Sequence, residues 1–242
     1  MQFAADPPWN HGTLTKLFKV PEDFCYKLPD QTSLEEGVLV EPLAVAVHAV
    51  KMAPVQCGDT VVILGSGTIG LLCAAVARGF GAAKVIVADI LERKLEFAQQ
   101  WNGLETFRPE PSQSPEKNAA SLVEEHGLGI GADVILETSG APSSVCLAVH
   151  GLRAGGSFVQ VGMVGKAVEF PIQTVCDREL HVHGSFRYGP GDFKTALSLL
   201  ASKKIDVSPL ISSTLPFEKA TEAWEKTKNG EGIKNLIRGP GF

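Results

Sequence analysis

Three glycines carry the first chemical signal. In "LGSGTIG", Gly65, Gly67 and Gly70 fall in G-x-G-x-x-G spacing. The pattern is weak alone and gains force from its setting. "DTVVILG" reads as a short buried strand, and "TIGLLCAAVARGFG" continues with helical spacing. Gly65 then permits a tight turn, Gly67 lets backbone approach a diphosphate, and Gly70 lets helix pack on strand. The amides at the helix start, Thr68 and Ile69, face the negative phosphates. Nineteen residues after Gly70, Asp89 closes the run "KVIVAD" with Ile90 next to it. A carboxylate there accepts adenosine ribose hydroxyls and repels a 2′-phosphate, which favours NAD over NADP. Arg93 and Lys94 weigh against that choice, because either could meet a phosphate. The plain alternative is a glycine-rich turn with no ligand.

A second signal is one carboxylate in a small, apolar run, Glu41 in "VLVEPLAVAVHAV". A lone buried carboxylate is costly, so Glu41 needs a partner or exposure. His48 lies seven residues later, near the same helix face, and reads as a histidine packed at a domain junction. His181 and His183 alternate along "ELHVHGS" without an apparent third ligand, so a polar edge strand explains them better than a metal pair. Cys25, Cys57, Cys73, Cys146 and Cys176 are far apart with no C-x-x-C spacing, which favours reduced cytosolic thiols. Cys73 and Cys146 sit in apolar helical settings and read as core.

The elements that must position these groups alternate. Apolar strand runs at "DTVVILG", "KVIVAD", "ADVILETSG", "GSFVQVG" and "ELHVHGS" are separated by helical patterns. Nearly continuous apolar strands between helices predict an α/β fold, a doubly wound parallel sheet covered on both faces. "RPEPSQSPEKNA" reads as a polar surface connection. Ser33 and Glu36 fit a capping box opening a helix that Pro42 kinks or splits. Hydrophobic residues make up 44% and the net charge is −5, which argues against nucleic acid as the main partner. No run of 18 apolar residues suggests a membrane span, and no secretory signal is visible, so the expectation is cytoplasmic.

Several stretches together resemble the medium-chain, zinc-dependent alcohol dehydrogenase superfamily, in particular its sorbitol, xylitol and arabinitol dehydrogenase branch. They are "FCYKLPD", "VEPLAVAVHA", "GSGTIGLL", "KVIVADI", "ADVILETSGA", "GGSFVQVGMVG" and "GSFRY". The resemblance implies a Rossmann NAD-binding domain over 45–185. Residues 1–44 would be a remnant of a GroES-like catalytic domain, and 186–242 would return toward it. It gives Glu41 the place of the carboxylate that completes a zinc environment. The family's other zinc ligands would precede residue 1, and the sequence holds no His-Glu dipeptide. Glu41 is therefore expected to be exposed, and the family's zinc is not extended to this chain. The resemblance further places Thr138, Val161, Gly162 and Met163 against the nicotinamide ribose and carboxamide. The "GSFRY" loop, Ser185, Phe186, Arg187 and Tyr188, would lie on the nicotinamide and substrate side. The strand around Ser157–Val164, an apolar edge, would pair with its copy in a homodimer.

Two functions fit these residues. One is NAD-linked hydride transfer at a secondary alcohol or ketone, impaired or altered if the zinc ligands are missing. The other is a dinucleotide-binding scaffold without redox turnover.

Overall fold

The computed structural model describes residues 5, 6, 8, 10–165 and 167–241. Two compact units divide the chain: residues 38–206, and residues 1–37 with 207–242.

The larger unit is a six-stranded, all-parallel sheet between helices. Its strands are β1 (Thr60–Leu64), β2 (Lys84–Ala88), β3 (Glu105–Phe107), β4 (Ala132–Glu137), β5 (Leu152–Gln160) and β6 (His181–Gly184). Their spatial order is β3-β2-β1-β4-β5-β6. The order reverses at β1, so a crevice opens between the carboxyl ends of β1 and β4. The helices are α1 (Val40–Met52), α2 (Thr68–Gly79), α3 (Glu92–Asn102), α4 (Pro115–Glu125), α5 (Pro142–Gly151), α6 (Ile172–Asp177) and α7 (Asp192–Ala201).

The strand sequences explain the layering. Val61 and Ile63 are buried, and so are Val62 and Leu64 on the opposite face of β1. A strand buried on both faces cannot alternate polar and apolar residues. One face packs Val62, Ile86, Ile135 and Phe158 in a single apolar cluster. α1 packs against α2 and α7, so the larger unit begins before and ends beyond the 45–185 expected from sequence. Pro42 sits in the first turn of α1, where a missing N–H is tolerated. The interruption expected there falls ahead of it, at Val38 and Leu39.

"RPEPSQSPEKNA" is part connection and part helix. Ser114 caps α4, accepting a hydrogen bond from the Lys117 amide at 3.4 Å, and Pro115 occupies the first helical position.

One sequence expectation is corrected. The apolar edge strand expected at 157–164 is not an edge: Ser157–Gln160 is interior, paired with β4 on one side and β6 on the other. The edge on that side is β6, with His181 and Val182 exposed.

In the smaller unit, β7 (Ile211–Leu215) and β8 (Lys234–Ile237) pair in parallel across α8 (Ala220–Lys228). Its capping box is formed: the Ser33 amide donates to Glu36 Oε2 at 2.8 Å and the Glu36 amide donates to Ser33 Oγ at 3.1 Å. Among the described residues, no helix is long and apolar enough to cross a membrane.

Candidate functional site

The crevice at the reversal point is a cavity of about 620 Å3, bordered by Gly65, Gly67, Asp89, Lys94, Thr138 and Ser144 among others. Each glycine of the motif has its own reason to be there. Gly65 has φ +107°, a conformation L side chains rarely adopt. A Cβ on Gly70 would lie 1.8 Å from the Gly65 carbonyl oxygen, so α2 could not seat against the turn. Gly67 is different. A Cβ there would meet no protein atom within 4 Å, and its φ of −76° suits any residue. The fold does not require glycine at 67, whereas a group lying on that backbone would.

Gly67 caps α2 with no side-chain hydrogen bond, and its own backbone borders the crevice where that helix begins. The N-terminal charge of the helix dipole there favours an anion. Thr68 and Ile69 are half-buried at this end.

Asp89 closes β2 and is tied into the glycine turn. Its Oδ2 accepts from the Ser66 amide and the Ser66 hydroxyl, both at 2.9 Å, and its Oδ1 accepts from the Leu91 amide at 3.0 Å. Lys94 Nζ lies 3.9 Å from Oδ2, so its charge is matched by Asp89. Two carboxylate oxygens offer about four acceptor sites, which leaves room for a sugar hydroxyl. Ile90 is exposed beside it. Sequence reasoning passes over Ser66, a spacer in the motif that is wholly buried. The available signal is a small hydroxyl residue that a strand-end carboxylate can reach.

On the other side of β1, Thr138 donates its hydroxyl to the Leu64 carbonyl at 2.9 Å and to Gly65 at 3.1 Å, joining β4 to the glycine turn. The amides of Val161 and Gly162 both donate to the Glu137 carbonyl at 2.8 Å, and Met163 is exposed. After β6, the Ser185 amide continues the sheet by donating to Gln160 at 2.8 Å. The Ser185 hydroxyl is buried without a hydrogen-bond partner among the described residues. Phe186 is exposed, with the Arg187 guanidinium 5.2 Å from its ring centroid. Arg187 has φ +57°, uncommon for a non-glycine residue and worth notice as stored strain. The Tyr188 ring meets Phe193 edge-on at 4.8 Å.

The loop is anchored at its far end by Asp192, the first residue of α7. Its side chain is 3% exposed and accepts from Lys51 Nζ at 2.8 Å and the Gly189 amide at 2.7 Å, with His48 Nδ1 at 2.9 Å. Burial alone would raise the Asp192 carboxyl. The bonds from Lys51, Gly189 and His48 outweigh that and hold it below the ordinary carboxylate value. A lowered value means stability present at neutral pH and lost as pH falls through the carboxylate range. Asp192→Asn is therefore expected to cost about 1–2 kcal/mol near neutrality and to flatten the acid limb of the stability curve. Urea unfolding across pH checks this, and an unchanged acid limb would contradict it.

Glu41 is exposed in the first turn of α1. Among the described residues, no three His, Cys, Asp or Glu side chains gather as a metal-binding group. Burial pushes the Cys73 thiol up to about 12, in keeping with its place in the core.

Residues 68–202 match the family of zinc-binding dehydrogenases. D-xylulose reductase A of Aspergillus niger is 49% identical over 239 residues, covering 99% of this chain and 66% of the relative. Among solved structures, L-idonate 5-dehydrogenase of Escherichia coli is 32% identical with a TM-score of 0.79, covering 90% of this chain and 61% of that one. A Sinorhizobium meliloti 1021 protein described as a zinc-binding dehydrogenase and bound to NADP is 28% identical with a TM-score of 0.85. That match covers 94% of this chain and 66% of that one. The chain thus spans about two thirds of the length of the curated relatives it matches.

Proposed function

We propose a function from one premise: this chain belongs to the zinc-binding dehydrogenase family. Its crevice binds a nicotinamide dinucleotide, and the whole protein moves hydride between that cofactor and a secondary alcohol or ketone of a polyol. The observation that carries the reading is Gly67, a glycine the protein itself does not need, at the open end of α2.

NADH, when bound, would supply the hydride to the carbonyl carbon and leave as NAD+, with a proton from solvent completing the alcohol at the oxygen. The chain's own residues bind and orient. The first amides of α2, at Thr68 and Ile69, hold the diphosphate, and Asp89 accepts the adenosine ribose hydroxyls. Thr138, Val161, Gly162 and Met163 border the nicotinamide end, along with Ser185 and Phe186. Arg187 and Tyr188 face the substrate. The strained backbone at Arg187 and the buried Ser185 hydroxyl support a working role for that loop.

Asp89 favours NADH over NADPH, because its charge opposes a 2′-phosphate and Lys94 is drawn to the acid. NADP in the S. meliloti structure makes the phosphorylated cofactor the specific competitor. The name of the A. niger relative points to D-xylulose as the first substrate to try. The homodimer belongs to this proposal, with β6 in place of β5 as the exposed seam, and sedimentation checks it.

The test is fluorescence titration with NADH and NADPH, paired with an NADH-linked D-xylulose reduction assay. Saturable binding of NADH, tighter than of NADPH, is the expected result. Equal or reversed affinities would contradict the assignment of Asp89. NADH binding without turnover favours the scaffold alternative.

A further inference from the structure

A buried carboxylate lies directly beneath the loops that border this crevice. Glu137, the last residue of β4, is 0% exposed. Every group facing its two oxygens donates. Oε1 accepts from the Ser139 amide at 2.8 Å, from the Ser139 hydroxyl, and from the Gly140 amide at 3.0 Å. Oε2 accepts from the Gly140 amide at 3.1 Å and from Gln160 Nε2 at 2.7 Å. An acceptor-only carboxylate fits that set. A buried charge persists where hydrogen bonds satisfy it.

The donors come from two segments, the loop 138–141 after β4 and the stretch 160–163, which starts at Gln160, the last residue of β5, and runs into the loop beyond it. Gln160 Nε2 also donates to the Gly162 carbonyl at 2.7 Å, so the second loop folds back over the same carboxylate. The loops meet backbone to backbone. A Cβ on Gly162 would lie 2.4 Å from the Gly140 amide nitrogen and 2.6 Å from Glu137 Oε2, and one on Gly140 would lie 2.6 Å from the Met163 carbonyl oxygen. Gly140 has φ +73°.

The place of these loops along the cofactor follows from strand order. Asp89, at the end of β2, marks the adenosine end, and Gly67, after β1, marks the diphosphate. The remaining half of a dinucleotide must continue over the carboxyl ends of β4 and β5. Those ends carry the two loops that Glu137 ties together. Asp89, Ser66 and the α2 amides make none of these bonds, and the tie from the first loop to the glycine turn runs through the Thr138 hydroxyl on the Leu64 and Gly65 carbonyls, not through Glu137.

We propose that Glu137 is a positioning residue that fixes the 138–141 and 160–163 loops from below, and so controls binding of the nicotinamide half while leaving the adenosine diphosphate half untouched. This rests on the dinucleotide reading above. Glu137→Gln keeps the shape but turns an amide donor toward groups that are themselves donors.

The test compares NADH with ADP-ribose, which carries the adenosine and diphosphate but no nicotinamide. Equilibrium titrations use the full chain, Glu137→Gln, and Gln160→Met, which keeps length while removing the donor that links the loops. Both variants should weaken NADH by about tenfold, with ADP-ribose affinity held within about twofold of the parent. A merely structural role would move both ligands together. If Glu137→Gln does not fold, the Gln160→Met titrations decide the matter by the same comparison. Parallel losses for the two ligands, or no loss for either, overturn the inference while the dinucleotide reading stands. A parent chain that binds neither ligand overturns that reading and this one with it.

Discussion

Alanine at Gly70 is expected to abolish NADH binding and to lower stability by about 3 kcal/mol, the upper end of what overpacking costs. The new Cβ would fall 1.8 Å from the Gly65 carbonyl oxygen. That atom belongs to backbone in a left-handed turn, so no side-chain rotation relieves the clash. Either α2 moves off β1 or the turn opens, and both moves take the helical amides away from the crevice. Alanine at Gly67 is the informative contrast. Its Cβ meets no protein atom, so unfolding free energy should stay within about 1 kcal/mol of the parent, the scale of a changed N-cap. NADH affinity should still fall, because the methyl occupies the space above the backbone. Chemical denaturation and NADH titration on both variants separate these effects. A Gly67→Ala chain with undiminished affinity would show that the diphosphate lies elsewhere.

The second large effect concerns Asp89. Asp89→Asn should weaken NADH by about ten- to a hundredfold, the range for losing charge-assisted hydrogen bonds of about 1.5–3 kcal/mol. Preference should move with affinity. Removing the negative charge relieves repulsion of a 2′-phosphate and frees Lys94, now 3.9 Å away, to meet it. The ratio of NADPH to NADH dissociation constants should therefore fall. Part of the loss for NADH is indirect, because Asp89 also holds the Ser66 amide and hydroxyl. Ser66→Ala separates the two contributions: it should weaken NADH by several-fold without improving NADPH. A cofactor ratio unchanged in Asp89→Asn would contradict the ribose assignment.

Much of this is legible in the sequence for a physical reason. Parallel strands buried on both faces write themselves as unbroken apolar runs, so β1, β2 and β4 announce themselves. The glycine motif is local, and its three positions are read from a six-residue window. What escapes is mostly non-local. β3 is three residues long, too short to show a period. The pairing of β6 with β5 cannot be read from either strand alone, and so an interior strand reads as an edge. Glu137 looks like an ordinary end of a strand because its partners Ser139 and Gly140 are close in sequence while Gln160 lies on another strand. Asp192 finds His48 and Lys51 more than 140 residues away. His48 joins Asp192 in a hydrogen-bonded clamp within the larger unit. Glu41 is exposed as expected, since a carboxylate in so apolar a run needs solvent or a partner.

The most direct measurement is a crystal structure of the chain grown with NADH. The diphosphate is expected over Gly67, within hydrogen-bond reach of the Thr68 and Ile69 amides. An adenosine ribose hydroxyl is expected on a carboxylate oxygen of Asp89. NADH bound with its diphosphate away from the start of α2, or with its ribose out of reach of Asp89, would contradict both assignments.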